Sequence, residues 1–292
     1  MTTNVGYLTT GRDLLRMQVT RNSKSAPLVL ANPLFDSSPA IRAARPVYAS
    51  VRQSAAKTAR RSVTGGENLA SVYFATLAGT AQEARAIQGL FPDSRVLTGA
   101  AANKRALQKA DAPLFLHIAT HGFFLNDLPG SASRDPSTAT AAALQNGAAA
   151  NPLLRSGLAL SGANLIKKGE EEGILTALEA SNLNLWGTKL VTLSACDTGI
   201  GEIKNGEGVY GLRRAFVESG AETLVMSLWP VSDYVTREMM TSYYAGLKNG
   251  LGRGETLRQG ELAMMKRKGR EHPFYWASFI QSGEWASLNG QR

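Results

Sequence analysis

The chain has one cysteine, Cys196, in the segment Val191-Thr192-Leu193-Ser194-Ala195-Cys196-Asp197-Thr198-Gly199. The segment reads as a short apolar strand that ends on a thiol and then turns at glycine. Upstream, Leu114-Phe115-Leu116-His117-Ile118-Ala119-Thr120-His121-Gly122-Phe123 has the same form, ending on histidine and glycine. A thiol is a weak nucleophile until it becomes a thiolate. An imidazole beside it can take that proton and later give one to a leaving amine. Two groups at the ends of buried strands meet at one edge of a parallel sheet, distant in sequence and adjacent in space. The plainer reading of a lone strand-end cysteine is a small buried hydrophobe. His117 lies four residues before His121. Two histidines so spaced suggest a metal on a helix, but this segment reads as a strand with no third soft ligand nearby. No metal site is therefore expected, and His117 is read as a packed or hydrogen-bonded strand residue. His272, ahead of Pro273 at the start of the last helix, is the rival general base.

Five segments in order carry a resemblance: His117-Ile118-Ala119-Thr120-His121-Gly122, Ser194-Ala195-Cys196-Asp197-Thr198-Gly199, Gly206-Glu207-Gly208, Leu228-Trp229-Pro230-Val231-Ser232-Asp233 and His272-Pro273-Phe274-Tyr275-Trp276-Ala277-Ser278-Phe279. They span roughly residues 110–280. Together they resemble the caspase-like (clan CD) cysteine peptidases, and most closely the CHAT family. The resemblance implies a catalytic dyad of His121 and Cys196, with no acidic third member. It also implies an oxyanion hole built from the backbone N–H groups of Gly122 and Cys196, where glycine lets a substrate carbonyl come close. Clan relatives read the residue before the cleaved bond with two loops, matched here by Asn32-Pro33-Leu34-Phe35-Asp36 and Ser227–Asp233. Asp36, Asp197 or Asp233 could then pair with a basic substrate side chain, and Trp229 could form a wall of the groove. The alternatives are a helix N-cap for Asp233, a turn residue for Asp36 and core packing for Trp229.

The expected function is a cysteine endopeptidase that cuts a protein substrate through a thioester acyl-enzyme, in regulated prokaryotic proteolysis (signalling, defence or cell death). No cofactor is expected. The alternative is a catalytically silent regulatory or scaffold module that binds a protein or nucleic-acid partner. A serine hydrolase is disfavoured because no Gly-x-Ser-x-Gly elbow occurs.

The elements that would position these groups are those of an α/β fold: a caspase-like, mostly parallel sheet sandwiched by helices in three layers. Pro27–Pro33, Ser71–Leu77, Arg95–Thr98, Leu114–Ile118, Gly157–Ser161, Leu190–Leu193 and Thr223–Leu228 are the strand candidates. The apolar continuity of several suits strands buried on both faces. Thr80-Ala81-Gln82-Glu83 has capping-box spacing and opens a helix to about Leu90. Further helices are expected over Arg12–Arg16, Ala101–Ala110, Leu175–Leu183, Val209–Ser219 and about 233–248, 255–268 and 274–281. Ligands bind beyond the carboxyl ends of such strands, where His121, Cys196 and Trp229 fall.

Residues 1–25 read as a lead-in segment and 26–292 as the catalytic domain, with a Gly/Ser/Ala-rich mobile insert at about 126–152 in which Arg134, and Arg155 just after it, offer basic sites for nicking. A chain of 292 residues can bury a substantial core. One cysteine excludes an internal disulfide and fits a cytoplasmic location; no signal peptide, membrane span or membrane association is read. No repeat of the ~34-residue tetratricopeptide period occurs, so a tetratricopeptide-repeat region, if any, would be a separate partner, as would a regulatory protein. The net charge of +9 is spread along the chain, with two basic clusters, Lys57/Arg60/Arg61 and Lys266/Arg267/Lys268/Arg270, read as solvated faces or a docking patch. Neither is interleaved with aromatic residues as a single-strand platform needs, so nucleic acid is expected as an indirect partner at most.

Overall fold

The computed structural model describes residues 7, 8, 11–19, 21–37, 62–64, 72–124, 152–168, 172–195, 207–229 and 232–291. Its main sheet has six strands, β1 (Leu28–Pro33), β3 (Arg95–Gly99), β4 (Phe115–Ala119), β8 (Leu190–Leu193), β9 (Thr223–Ser227) and β10 (Phe279–Gly283), in the order β10-β9-β8-β4-β1-β3. All neighbours pair in parallel except β10, which runs antiparallel to β9 at the edge. A smaller sheet orders β2 (Ser62–Thr64), β5 (Gly122–Phe124), β6 (Ser156–Ala159) and β7 (Ile174–Thr176).

Strand alternation sends successive side chains to opposite faces, and both faces here are apolar. Leu28, Leu30, Leu116, Ile118, Val191, Leu193, Leu224 and Met226 face one helix layer. That layer comprises α3 (Lys104–Gln108), α5 (Ala177–Ser181) and α6 (Glu207–Glu218), which supply Leu107, Ala177, Ala180, Leu212, Ala215 and Phe216. Val29, Ala31, Phe115, Ala119, Leu190 and Val225 face the other. There α2 (Ala78–Leu90), α7 (Asp233–Lys248) and α8 (Arg253–Met265) bring in Ala84, Ile87, Val235, Met239, Met240, Tyr243, Tyr244, Leu257 and Met264. Burying each large apolar side chain contributes about 1.5–3 kcal/mol, so these two cores hold the three layers together. Two further short helices are α1 (Arg12–Arg16) in the lead-in segment and α9 (Pro273–Trp276).

Several local expectations are corrected. Residues 72–77 carry no strand ladder and run as an irregular lead into α2. The Thr80/Glu83 capping box does not form. Leu77 is the N-cap without a side-chain bond, Thr80 Oγ1 donates to the Leu77 carbonyl, and the Glu83 carboxylate is buried against His117. A true capping box, Thr176 with Glu179, starts α5 instead. The helix expected over 274–281 stops at Trp276, and Phe279–Gly283 becomes the edge strand. Arg155 belongs to the short helix α4 (Pro152–Arg155) and is 7 % exposed, so it offers no open site for nicking. The rest of the expected insert lies outside the described residues.

Candidate active site

His121 follows β4 and precedes β5, and only 2 % of it is exposed. Its backbone is tied down on both sides. Ala159 N donates to the His121 carbonyl at 2.9 Å, and Thr120 Oγ1 donates to the Ala159 carbonyl at 2.5 Å. The ring is held between Phe35 and Phe74, with centroids 5.3 and 5.7 Å away. Its Nε2 lies 2.7 Å from the Ala75 carbonyl. A carbonyl can only accept, so Nε2 carries the proton and Nδ1 is the basic nitrogen. Gly122 is buried at the start of β5, in register with Ser62 on one side and Leu158 on the other.

The cysteine strand is the neighbour of the histidine strand. His117 of β4 pairs in parallel register with Thr192 of β8, and Ile118 with Leu193. The ladder continues past β8, where Ser194 N donates to the Ile118 carbonyl at 2.9 Å. His121 and Cys196 each stand four residues beyond that registered pair. Cys196 and Asp197 themselves lie outside the described residues, which end at Ala195 on this strand.

The loop after β1 reaches His121 through Phe35. A register shift between Ala31 and Pro33 and a left-handed Asn32 (φ 48) turn the chain there, a bulge of the kind common beside active sites. Asp36 is exposed, and its two oxygens accept from Asn164 Nδ2 at 2.9 Å and Tyr73 Oη at 3.4 Å. The loop after β9 lies by the start of α2. Ser232, not Asp233, is the N-cap of α7, accepting from Val235 N at 3.3 Å. Asp233 is the first helical residue. Its carboxylate packs so closely on Gly79 that a Cβ there would stand 1.8 Å from Oδ2, which is why glycine occupies the first turn of α2. Trp229 is half-buried against the core beside α7, and its indole N–H donates to the Phe274 carbonyl at 3.0 Å. His272 is exposed and caps α9 through Nδ1, which accepts from Phe274 N at 3.2 Å. That cap explains its place without a catalytic role.

A family model described as the CHAT domain matches residues 1–284. The chain belongs to the CHAT domain family. This family is part of the caspase-like peptidase clan, in keeping with the three-layer architecture described above. Among curated proteins, this CHAT domain is similar to Tetratricopeptide repeat protein 28 of Mus musculus, 32% identical over 118 residues, and to its Homo sapiens namesake, 32% identical over 119 residues. The matches take in 40% and 41% of this chain but only 5% of each relative's length. Among solved structures it is similar to protein GSU0716 from Geobacter sulfurreducens, with a TM-score of 0.43, 11% identity and coverage of 92% of this chain and 97% of that one. That likeness is too loose to bear on the fold, which rests on the sheet order itself.

In this CHAT domain the segment 72–80 serves as the spine of the site. Phe74 and Ala75 hold the imidazole, Gly79 accommodates Asp233, and Thr80 Oγ1 accepts from Asn32 N at 3.0 Å. Asn164, on the short 3-10 helix Ala163–Lys168, fixes both Asp36 and Phe74, whose N–H donates to its Oδ1 at 2.8 Å. Sequence reasoning missed Phe74, Ala75, Gly79 and Asn164. Ala75 acts through its backbone and Asn164 through a long-range contact, so neither leaves a sequence signal. The Gly79-Thr80 pair at a helix start was the one legible hint.

Proposed function

We propose that this CHAT domain is a cysteine endopeptidase in which His121 is the general base and Cys196 the nucleophile. The observation that carries the reading is the buried imidazole of His121. It stands at the carboxyl edge of the sheet, with its tautomer set by the Ala75 carbonyl and its strand next to the one that leads into the sole cysteine. In the proposed cycle, Nδ1 of His121 takes the Cys196 proton and the thiolate attacks the substrate carbonyl. The N–H groups of Gly122 and Cys196 stabilise the oxyanion; losing one such donor costs about 10²–10³-fold in rate. The imidazolium then protonates the leaving amine, and water hydrolyses the thioester. Asp36, Asp197 and Asp233 are the proposed readers of a basic substrate side chain, and Trp229 lines the proposed groove.

The substrate is a protein, and the proposed role is regulated proteolysis. Because its curated relatives are tetratricopeptide-repeat proteins by name, a repeat region or a regulatory protein is the proposed partner. The second reading is a regulatory module without cleavage. Incubating wild type and Cys196→Ala with a peptide library and reading cleaved bonds by mass spectrometry separates the two. Wild type is expected to cut a subset of peptides and Cys196→Ala none. No cutting by wild type supports the silent module.

A further inference from the structure

Between the two strands that lead to the proposed dyad runs a chain of four buried polar side chains. His117 and Glu83 are both fully buried, with His117 Nε2 at 3.0 Å from Glu83 Oε1. On the other side of the ring, Nδ1 lies 3.0 Å from the Tyr244 hydroxyl, and that hydroxyl donates to Thr192 Oγ1 at 3.0 Å. With its proton on Thr192, the Tyr244 oxygen accepts from His117 Nδ1–H. On the Nε2 side the ring stands in a buried ion-pair contact with the Glu83 carboxylate, without aligned hydrogen-bond geometry. Burial pushes the Tyr244 phenol well above its ordinary pKa, against the help of the Thr192 bond, so the hydroxyl stays a donor. The four residues come from α2, β4, α7 and β8, and no step of the proposed peptide cleavage uses them.

The sheet has a reason to need such a chain. β4 and β8 are buried on both faces. A strand that is apolar on both sides can slide against its neighbour while still burying apolar side chains, so hydrophobic burial alone defines its register weakly. A buried polar chain with one geometry defines it strongly, because any slip leaves donors and acceptors orphaned in the core. Here one hydroxyl is bonded to side chains on both strands, and those side chains, His117 and Thr192, are registered partners in the parallel ladder. A shift of one residue would present Ile118 or Leu193 instead.

We propose that Glu83, His117, Tyr244 and Thr192 are positioning residues that lock the register of β4 against β8, and thereby hold His121 level with Cys196, each four residues downstream of the locked pair. The inference rests on the peptidase reading of the site, but its test does not need a substrate. Cys196 is the only cysteine, so alkylation by iodoacetamide reports on that thiol alone, and iodoacetamide reacts with the thiolate.

The experiment measures the pH profile of alkylation, with thermal unfolding in parallel, for the full chain and the variants His121→Ala, Tyr244→Phe, Thr192→Val and Tyr244→Phe/His121→Ala. Wild type is expected to react at least ten-fold faster than His121→Ala near pH 6. Tyr244→Phe and Thr192→Val, which remove single hydroxyls, are expected to lose at least three-fold of that advantage. Their profiles should move toward that of an ordinary thiol, about 8.5. The double variant should match His121→Ala, since the hydroxyl acts only through the dyad. Wild-type profiles in folded Tyr244→Phe and Thr192→Val overturn the positioning role and leave the dyad standing, as does a loss in the double variant that adds fully to that of His121→Ala. Equal reaction of wild type and His121→Ala removes the dyad, and the positioning role falls with it.

Discussion

The proton on His121 Nε2 is directed at the Ala75 carbonyl, which leaves Nδ1 as the proposed base without an acidic third residue. A backbone acceptor orients the imidazole but adds no charge, and the two flanking phenylalanines confine its rotation. Phe74→Leu should therefore lower kcat roughly 10-fold with little change in KM, within the range that a small misplacement of a catalytic group costs; a matched loss in KM alone would assign Phe74 to substrate contact. The candidate specificity residues make a separate prediction. Both Asp36 and Asp233 sit by loops that converge on the segment 72–80. Asp36→Asn and Asp233→Asn should each reduce cleavage of Arg or Lys peptides about fivefold relative to neutral ones, the size of a partly exposed ion pair of about 1 kcal/mol. Equal losses on both classes would leave Asp36 as a holder of its loop and Asp233 as a first-turn acid of α7. The residues proposed to do the chemistry, His121 and Cys196, were named from strand-end motifs. Ala75 was not, because a carbonyl is common to every residue and only the fold selects one.

Among the elements, β1, β4, β8 and β9 were readable because strands covered on both faces are continuous apolar runs bounded by turn residues, whereas β3, a partly exposed edge strand, showed only through the short Val96-Leu97 pair. The second sheet was mostly missed. Its strands are three or four residues long, too short for a period to show. β10 was read as helix because Pro273 does start one. The helix ends after a single turn, and Leu228 N then bonds the Ser278 carbonyl at 2.7 Å to bring the chain onto the sheet edge. Helix α8 yields a prediction of its own. Burial pushes the Glu261 carboxyl up to about 7. A raised carboxyl pKa means the folded state holds a proton that the unfolded chain releases near pH 4.5. Stability from this group is full below that pH and is lost as pH rises toward 7. Glu261→Gln should therefore be more stable than wild type at pH 8, by roughly 1–2 kcal/mol, and no different at pH 4. A gain that is the same at both pH values would trace to packing instead of charge.

For the molecule as a whole, the site end of the sheet is balanced by a clamp at the opposite end. Arg253, 1 % exposed, donates to the carbonyls of Ala286 and Lys189 and to Thr223 Oγ1, and faces Glu222 at 3.5 Å. It ties the residues after β10 to the starts of β8 and β9. Arg253→Ala should lower stability by roughly 3–5 kcal/mol, measurable by urea unfolding, and a loss below about 1 kcal/mol would show that the clamp is dispensable. The basic surface is partly neutralised, since Arg267 and Arg270 both pair with Glu238, which weakens a nucleic-acid role based on charge. Among the described residues no helix is long and apolar enough to cross a membrane. The three-layer plan was legible because strand and helix patterns alternate along the chain, whereas the polar chain through His117 depends on Glu83 and Tyr244, 34 residues before it and 127 after it. The central claim is that His121 activates Cys196 for acyl transfer. Its most direct test is intact-mass analysis after treatment with a set of peptidyl acyloxymethyl ketones that vary the residue before the reactive carbonyl. The account predicts one adduct per chain, on Cys196, formed by wild type with a subset of the probes and lost in His121→Ala and in urea-unfolded protein. No adduct with any probe, or equal labelling of wild type and His121→Ala, would contradict it.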